Sequence, residues 1–170
     1  EKPTLSTMNS VIYGDYGRPS NFPTFFKNSA IVSASTTILS LALATLAGYA
    51  FSRFRFRGSY TMLVSILITQ MFPGGMLLIS IYIMYTKLHL LDTYPGLILS
   101  YTTFALPFAI WLLKGFFDTV PEELEDAARI DGCNRLTALT RVVLPVIGPG
   151  LVAAGIYTFL IAWDEYLFAA

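Results

Sequence analysis

Four long stretches of this chain carry no charged side chain: residues 28–52, 58–86, 93–113 and 142–163, which hold 25, 29, 21 and 22 residues. A helix rising 1.5 Å per residue needs about 20 apolar residues to cross a hydrocarbon core about 30 Å thick. Each stretch is long enough to cross once. None shows the strand-length alternation of an outer-membrane barrel. The pattern predicts an all-α, polytopic helical membrane protein with transmembrane helices over about 28–52, 59–86, 93–113 and 146–170. Residues 1–27 then form an extracytoplasmic segment, and about 114–145 a cytoplasmic loop inside a membrane domain covering 28–170. The first span is no signal peptide, because a mixed segment precedes it and no basic region leads it.

Composition agrees. The chain is 55% hydrophobic and 13% charged, where soluble domains carry about a quarter charged residues. Eleven basic and eleven acidic side chains cancel, which removes the electrostatic footprint of a nucleic-acid binder. With a single cysteine, Cys133, and a single histidine, His89, neither an internal disulfide nor a Cys/His metal cage can form. His89 reads as a solvated loop residue. Lys and Arg set the orientation. Segments 53–57 and 114–141 carry seven, including the cluster Arg53, Arg55, Arg57; segments 1–27 and 87–92 carry four. The first pair is placed in the cytoplasm. The chain starts in loop-like sequence and stops in apolar sequence, so it is expected to be the middle of a larger protein with at least one span beyond each end.

Within the spans, Pro73-Gly74-Gly75 and Pro107 interrupt the second and third helices. Broken backbone at membrane depth is tolerated where it faces protein or a water-filled cavity, so these breaks read either as packing kinks or as parts of a pathway. Ser33, Ser35, Ser40, Ala44, Ala47 and Gly48 give the first span a small-residue face suited to close packing. Asp164 and Glu165 stand 15 and 16 residues beyond Pro149. Carboxylates at that depth face a cavity or a partner, unless they sit at the outer interface and merely end the helix.

The loop 114–145 is the most distinctive segment. Thr119-Val120-Pro121-Glu122 has the form of a capping box, with Thr119 as N-cap, Pro121 in the first turn and Glu122 reaching back. Glu122, Glu123, Glu125 and Asp126 crowd the positive end of the helix dipole. Leu124, Ala127 and Ala128 fall on one face, and Gly132 supplies the stop. A second helical pattern runs through Leu136, Leu139 and Val143 and ends at Leu144-Pro145. Helices lying on a bilayer are usually basic on their polar face, whereas this one begins acidic, so a protein partner is expected.

The segment Glu125-Asp126-Ala127-Ala128-Arg129-Ile130-Asp131-Gly132, followed by Val143-Leu144-Pro145 and Pro149, resembles the EAA loop of ABC-importer permeases. Asp126 stands in the triplet's glutamate position, and Cys133 in that of a small residue. Tyr49-Ala50-Phe51-Ser52-Arg53, Gln70-Met71-Phe72-Pro73 and Trp163-Asp164-Glu165-Tyr166 resemble segments of the carbohydrate-uptake permeases of the maltose-transporter type. The resemblance implies spans two to five of a six-helix type I importer subunit in a bacterial or archaeal cell membrane. It implies three partners besides the bilayer: a homologous permease subunit, an ABC ATPase dimer and an extracytoplasmic solute-binding protein. ATP and Mg would be held by the ATPase, and no cofactor by this chain.

The same resemblance makes Glu122, Glu123, Glu125, Asp126, Ala127, Ala128, Asp131 and Gly132 an ATPase-docking set. Gln70, Pro73, Trp163, Asp164 and Glu165 become pathway candidates. Motion of helix 120–131 would pass through Gly132 and 134–145 into the last span. No G-x-x-x-x-G-K-[ST] phosphate loop, G-x-S-x-G elbow or H-E-x-x-H pair occurs in the sequence, so the chain is not expected to be an enzyme. An ion-gradient-driven secondary transporter or channel subunit would share the broken helices and intramembrane acids. It would need no docking loop.

Overall fold

The computed structural model describes residues 22–165, apart from Arg55 and Pro73. Most of the expected segment 1–27, the pathway candidate Pro73 and the end of the last expected span lie outside them. Helix α1 is Phe22–Arg53. Helix α2, Ser59–Ile68, runs into a 3-10 turn at Thr69–Met71, and α3 is Gly74–Leu88. Helix α4 is Tyr94–Asp118, begun by Thr93, whose hydroxyl oxygen accepts from the Gly96 N–H at 3.2 Å. After it come α5, Glu122–Ile130, and α6, Arg135–Ala138, then a π segment Leu139–Val143 and α7, Leu144–Val146. Helix α8 is Gly148–Asp164. Helices α1 and α4 are each long and apolar enough to cross a bilayer. The bent pairs α2–α3, at 98°, and α6–α7 with α8, at 81°, bring the count to four if each pair is one span.

Helix α1 is the axis of the bundle and packs along α4 and α8. Its inner face is Ser33, Thr36, Ser40, Ala44 and Gly48, all buried. In lipid there is little hydrophobic gain from pairing helices, so small residues that let backbones approach supply the attraction. The approach is closest at Gly48: a methyl group there would lie 3.1 Å from the Lys114 nitrogen and 3.3 Å from Leu113 Cβ. Across from this face stand Ala105, Ala109, Leu113 and Phe117 of α4, and Ala154, Thr158 and Ala162 of α8, all buried. Ser35 and Ala47, expected on the same face, are half-buried at its edges. Thr37 and Thr158 return their hydroxyls to carbonyls of their own helices, at 2.7 Å and 3.0 Å. Such bonds satisfy hydroxyls where water is absent.

The α2–α3 arm leans on α4 where Gln70 Nε2 donates to the Phe104 carbonyl at 2.5 Å. Pro107 has no N–H, so the carbonyl of Thr103, beside that contact, loses its helical partner. One side chain beside the break in the second span, that of Gln70, thus reaches α4. Outward-facing Tyr60, Met71, Met76 and Ile79 are strongly exposed, as a lipid-facing surface allows.

Gly48→Leu is expected to drive α1 from α4 and cost about 1–3 kcal/mol of overpacking. Gly115→Ala, where an added methyl meets nothing within 4 Å, should cost nothing. Thermal unfolding in detergent, compared for the two variants, checks the difference.

Candidate functional site

Helix α5 starts differently from the expected capping box. Pro121 is the N-cap and no side chain caps the helix. The Thr119 hydroxyl instead donates to the Phe116 carbonyl at 2.7 Å, because Thr119 closes α4, which runs five residues beyond the expected span end. The uncapped N–H groups keep their positive potential, and Glu122, Glu123 and Glu125 occupy the first turn.

The other end agrees with the expectation. Gly132 has φ +94°; its N–H donates to the Arg129 carbonyl at 3.1 Å, and that of Cys133 to Ala128 at 3.0 Å. This pair of bonds is a Schellman stop, which needs a left-handed residue at that position. Asn134 then caps α6 by accepting from Thr137 N–H at 2.8 Å. The second helix does not end at Pro145. It widens to a π turn just ahead, where the proline ring crowds the carbonyl four residues back, and it turns only at Ile147.

Glu125 is the centre of the site. It is buried, and its carboxylate takes one bond from Arg53 Nε at 2.5 Å and one from the Tyr49 hydroxyl at 2.7 Å. The Arg53 and Glu125 side chains are only 8% and 10% exposed. All three Arg53 nitrogens donate: besides Nε, Nη2 donates to the Val120 carbonyl at 2.8 Å and Nη1 to Ser52 Oγ at 3.1 Å. Ser52 in turn donates to Asp118 at 2.7 Å, and Asp118 pairs with Lys114. Tyr49 stacks edge-on against Phe117 and Phe54, and the Arg135 guanidinium lies 5.0 Å over the Phe54 ring. The end of α1 is thus tied to α4, α5 and α6 at once. This places segments 53–57 and 114–141 at the same end of the bundle. Removing one partner of such a buried pair costs about 3–5 kcal/mol.

The outward side of α5 is the reverse of the apolar face expected from spacing. Leu124 and Ala127 are exposed, and only Ala128 of that triplet is buried. The inward side faces Arg53 and Tyr49, so it takes the carboxylate of Glu125 and the small Ala128. Glu122, Glu123, Asp126, Asp131 and Gly132 are all exposed, with Ile130 at 87% exposure and Leu136 at 64%; Glu122 and Asp126 also line a small cleft with Tyr49, Arg53 and Glu125. Asp126 and Arg129 form a loose exposed pair at 3.4 Å, which contributes little. The result is an apolar surface rimmed by acids, standing free of the bundle.

At the opposite end, α8 runs to Asp164 and Glu165 is extended; the helix covers roughly 25 Å, with both acids at its far end. Asp164 is exposed. The Glu165 carbonyl is 3.5 Å from the Tyr101 hydroxyl. Trp163 stacks on Phe159 and meets Phe26 edge-on at 5.4 Å. A cavity of about 490 Å³ opens here, lined by Phe25, Asn28, Asp92, Tyr94, Trp163 and Glu165 among others. Gln70 is not part of it. Its partner Phe104 stands one turn along α4 from Tyr101, so the two groups of pathway candidates lean on neighbouring turns of one helix.

Residues 25–170 match the model of the family described as binding-protein-dependent transport system inner membrane component. The chain belongs to this family. It is 39% identical to the inner membrane ABC transporter permease protein YcjP of Escherichia coli, over 99% of this chain and 61% of that protein. To the trehalose transport system permease protein SugB of Mycobacterium tuberculosis it is 37% identical, over 98% and 59%. A solved bacterial ABC transporter involved in import of the acidic polysaccharide alginate has a chain that matches with TM-score 0.78 at 28% identity, over 92% of this chain and 54% of that one. The chain thus spans about three fifths of the length of the curated relatives it matches. As a family member with apolar spanning helices it is a multi-pass cell-membrane protein.

The glycine stop of α5 supplies a sharp test. A methyl group on Gly132 would meet nothing within 4 Å, so only its backbone conformation restricts it. Gly132→Val is expected to cost about 1–2 kcal/mol locally and to release the end of α5. Gly132→Asn, a residue that tolerates this conformation, should stay close to the parent. Hydrogen exchange of the α5 amides in the purified protein separates the two.

Proposed function

We propose that this chain is the core of a permease subunit of an ATP-driven importer for a sugar or oligosaccharide. It forms the translocation pathway with a homologous permease. An extracytoplasmic binding protein delivers solute, and an ATPase dimer carries ATP and Mg on its own residues. The observation that carries this reading is the free surface of α5. A helix with its own carboxylate turned inward for anchorage, and Leu124, Asp126 and Ile130 turned outward, is built to be held at one side and gripped at the other. Exposed apolar groups rimmed by charge mark a protein contact. The cation on the ATPase that meets Asp126 would be Arg or Lys, by complementarity.

In this reading ATP binding draws the ATPase subunits together and moves α5 as a body, and the spans switch between inward-facing and outward-facing states. Asp164, Glu165, Trp163 and Gln70 supply carboxylate, amide and aromatic groups to the pathway, which suit a polyhydroxylated solute. The relatives' names, which include a trehalose system and a diacetylchitobiose uptake system, support a carbohydrate. A gradient-driven transporter would leave the surface of α5 without a purpose.

Asp126→Lys in the full-length protein is expected to reduce co-purification of the ATPase about tenfold at low salt, since it turns an attraction into a repulsion. Equal recovery of the ATPase with both proteins would remove Asp126 from the interface. Absence of any ATPase from the wild-type preparation would overturn the importer reading.

A further inference from the structure

Two routes lead from the docking helix to the rest of the bundle. The covalent route leaves α5 through the left-handed Gly132, passes the π turn at Leu139–Val143 and bends by 81° before entering α8. Each of these interrupts the regular α-helical backbone and is a joint in that route. The other route is non-covalent and has no such joint. Glu125 is bonded directly to Tyr49 and Arg53, and both belong to α1, one helix of 32 residues.

The far end of α1 is a wall of the outer cavity. Phe25 and Asn28 line it, Asn28 accepts from the Tyr94 hydroxyl at 2.8 Å, and Phe26 meets Trp163. From Arg53 to Asn28 the helix spans roughly 38 Å. The face it turns to α4 and α8 is Ser33, Thr36, Ser40, Ala44 and Gly48, all small or short side chains.

We infer that the Arg53–Glu125–Tyr49 clamp couples the docking helix to α1, and that α1 acts as the rod by which nucleotide state at the inner end reshapes the external cavity. Arg53 is on this account a positioning residue for coupling: it touches neither nucleotide nor solute, and fixes the movement of α5 to the movement of α1. The inference rests on the docking role of α5 proposed above. It adds the route, through the first described span rather than only through the last. Linkage requires the reverse effect as well, so a ligand that holds the outer wall biases the docking helix.

The test uses the full-length protein, assembled with its ATPase and partner permease in proteoliposomes, in a Cys133→Ser background carrying Phe25→Cys. A membrane-impermeant maleimide is applied from outside, nucleotide-free and after trapping with ATP and vanadate. Trapping is expected to change the labelling rate about tenfold, the scale of a typical coupling. With Arg53→Met the ATPase should remain bound, and the two rates should come within twofold of each other, the coupling being lost. The charge swap Arg53→Glu with Glu125→Arg should restore the difference. A role in stability alone would lower assembly and leave the nucleotide dependence intact.

An undiminished response in Arg53→Met overturns the inference while leaving the docking role standing. No ATPase on the wild-type complex overturns the docking role, and the inference with it. Should Arg53→Met fail to assemble, Tyr49→Phe decides. It deletes one hydrogen bond and keeps the ion pair, so the response should shrink about threefold. An unchanged response there also overturns the inference.

Discussion

A carboxylate taken out of water needs an opposite charge and a hydrogen-bond donor on each oxygen. Glu125 meets that demand through Arg53 and Tyr49, and much of that end of the molecule follows from it. Arg53 has to stand at the last turn of α1, its guanidinium plane shared among Glu125, the Val120 carbonyl and Ser52. Val120 has to sit in the short link between α4 and α5, so the link stays tight. With its inward side filled by an acid and Ala128, α5 turns Leu124 and Ile130 to the outside. The bond that anchors the helix therefore also decides which surface is left for a partner.

Elsewhere the membrane sets the terms. Without water, backbone groups must be paired inside the protein, and helix contact must come from close fit. Gly48 and its row of small neighbours let α1 approach α4 to the limit of contact. Near the two breaks, Gln70 bonds to α4 at Phe104, three residues before Pro107. Charged groups gather at the two ends, the clamp at one and Asp164 and Glu165 at the other. Between them lies a bundle whose axis is a single unbroken helix.

Two long helices were readable because a bilayer demands charge-free runs of a given length: 28–52 lies inside α1, and 94–113 inside α4, with Thr93 as its N-cap. The small-residue face of α1 and the stop at Gly132 were readable for a similar reason, since few residue types can occupy either. The start of α5 was not. Thr119 and Glu122 have the spacing of a capping box, but the hydroxyl of Thr119 closes the preceding helix, and local pattern cannot say which helix claims a threonine. Nor could spacing reveal that Glu125 points inward. One signal did exist: Glu125 and Ala128 are three apart, hence on one face, and an isolated cluster of arginines follows the first span. Pairing them needs the fold. The π turn before Pro145 comes from a steric conflict that a pattern of apolar positions does not record.

The central claim is that one side of α5 belongs to this subunit and the other to a partner. A cryo-electron-microscopy structure of the full-length transporter assembled with its ATPase tests it directly. The Glu125 carboxylate should remain bonded to Arg53 and Tyr49, while Leu124, Asp126 and Ile130 are buried against the ATPase. Glu125 turned out into the ATPase groove, with Arg53 bonded elsewhere, would contradict it.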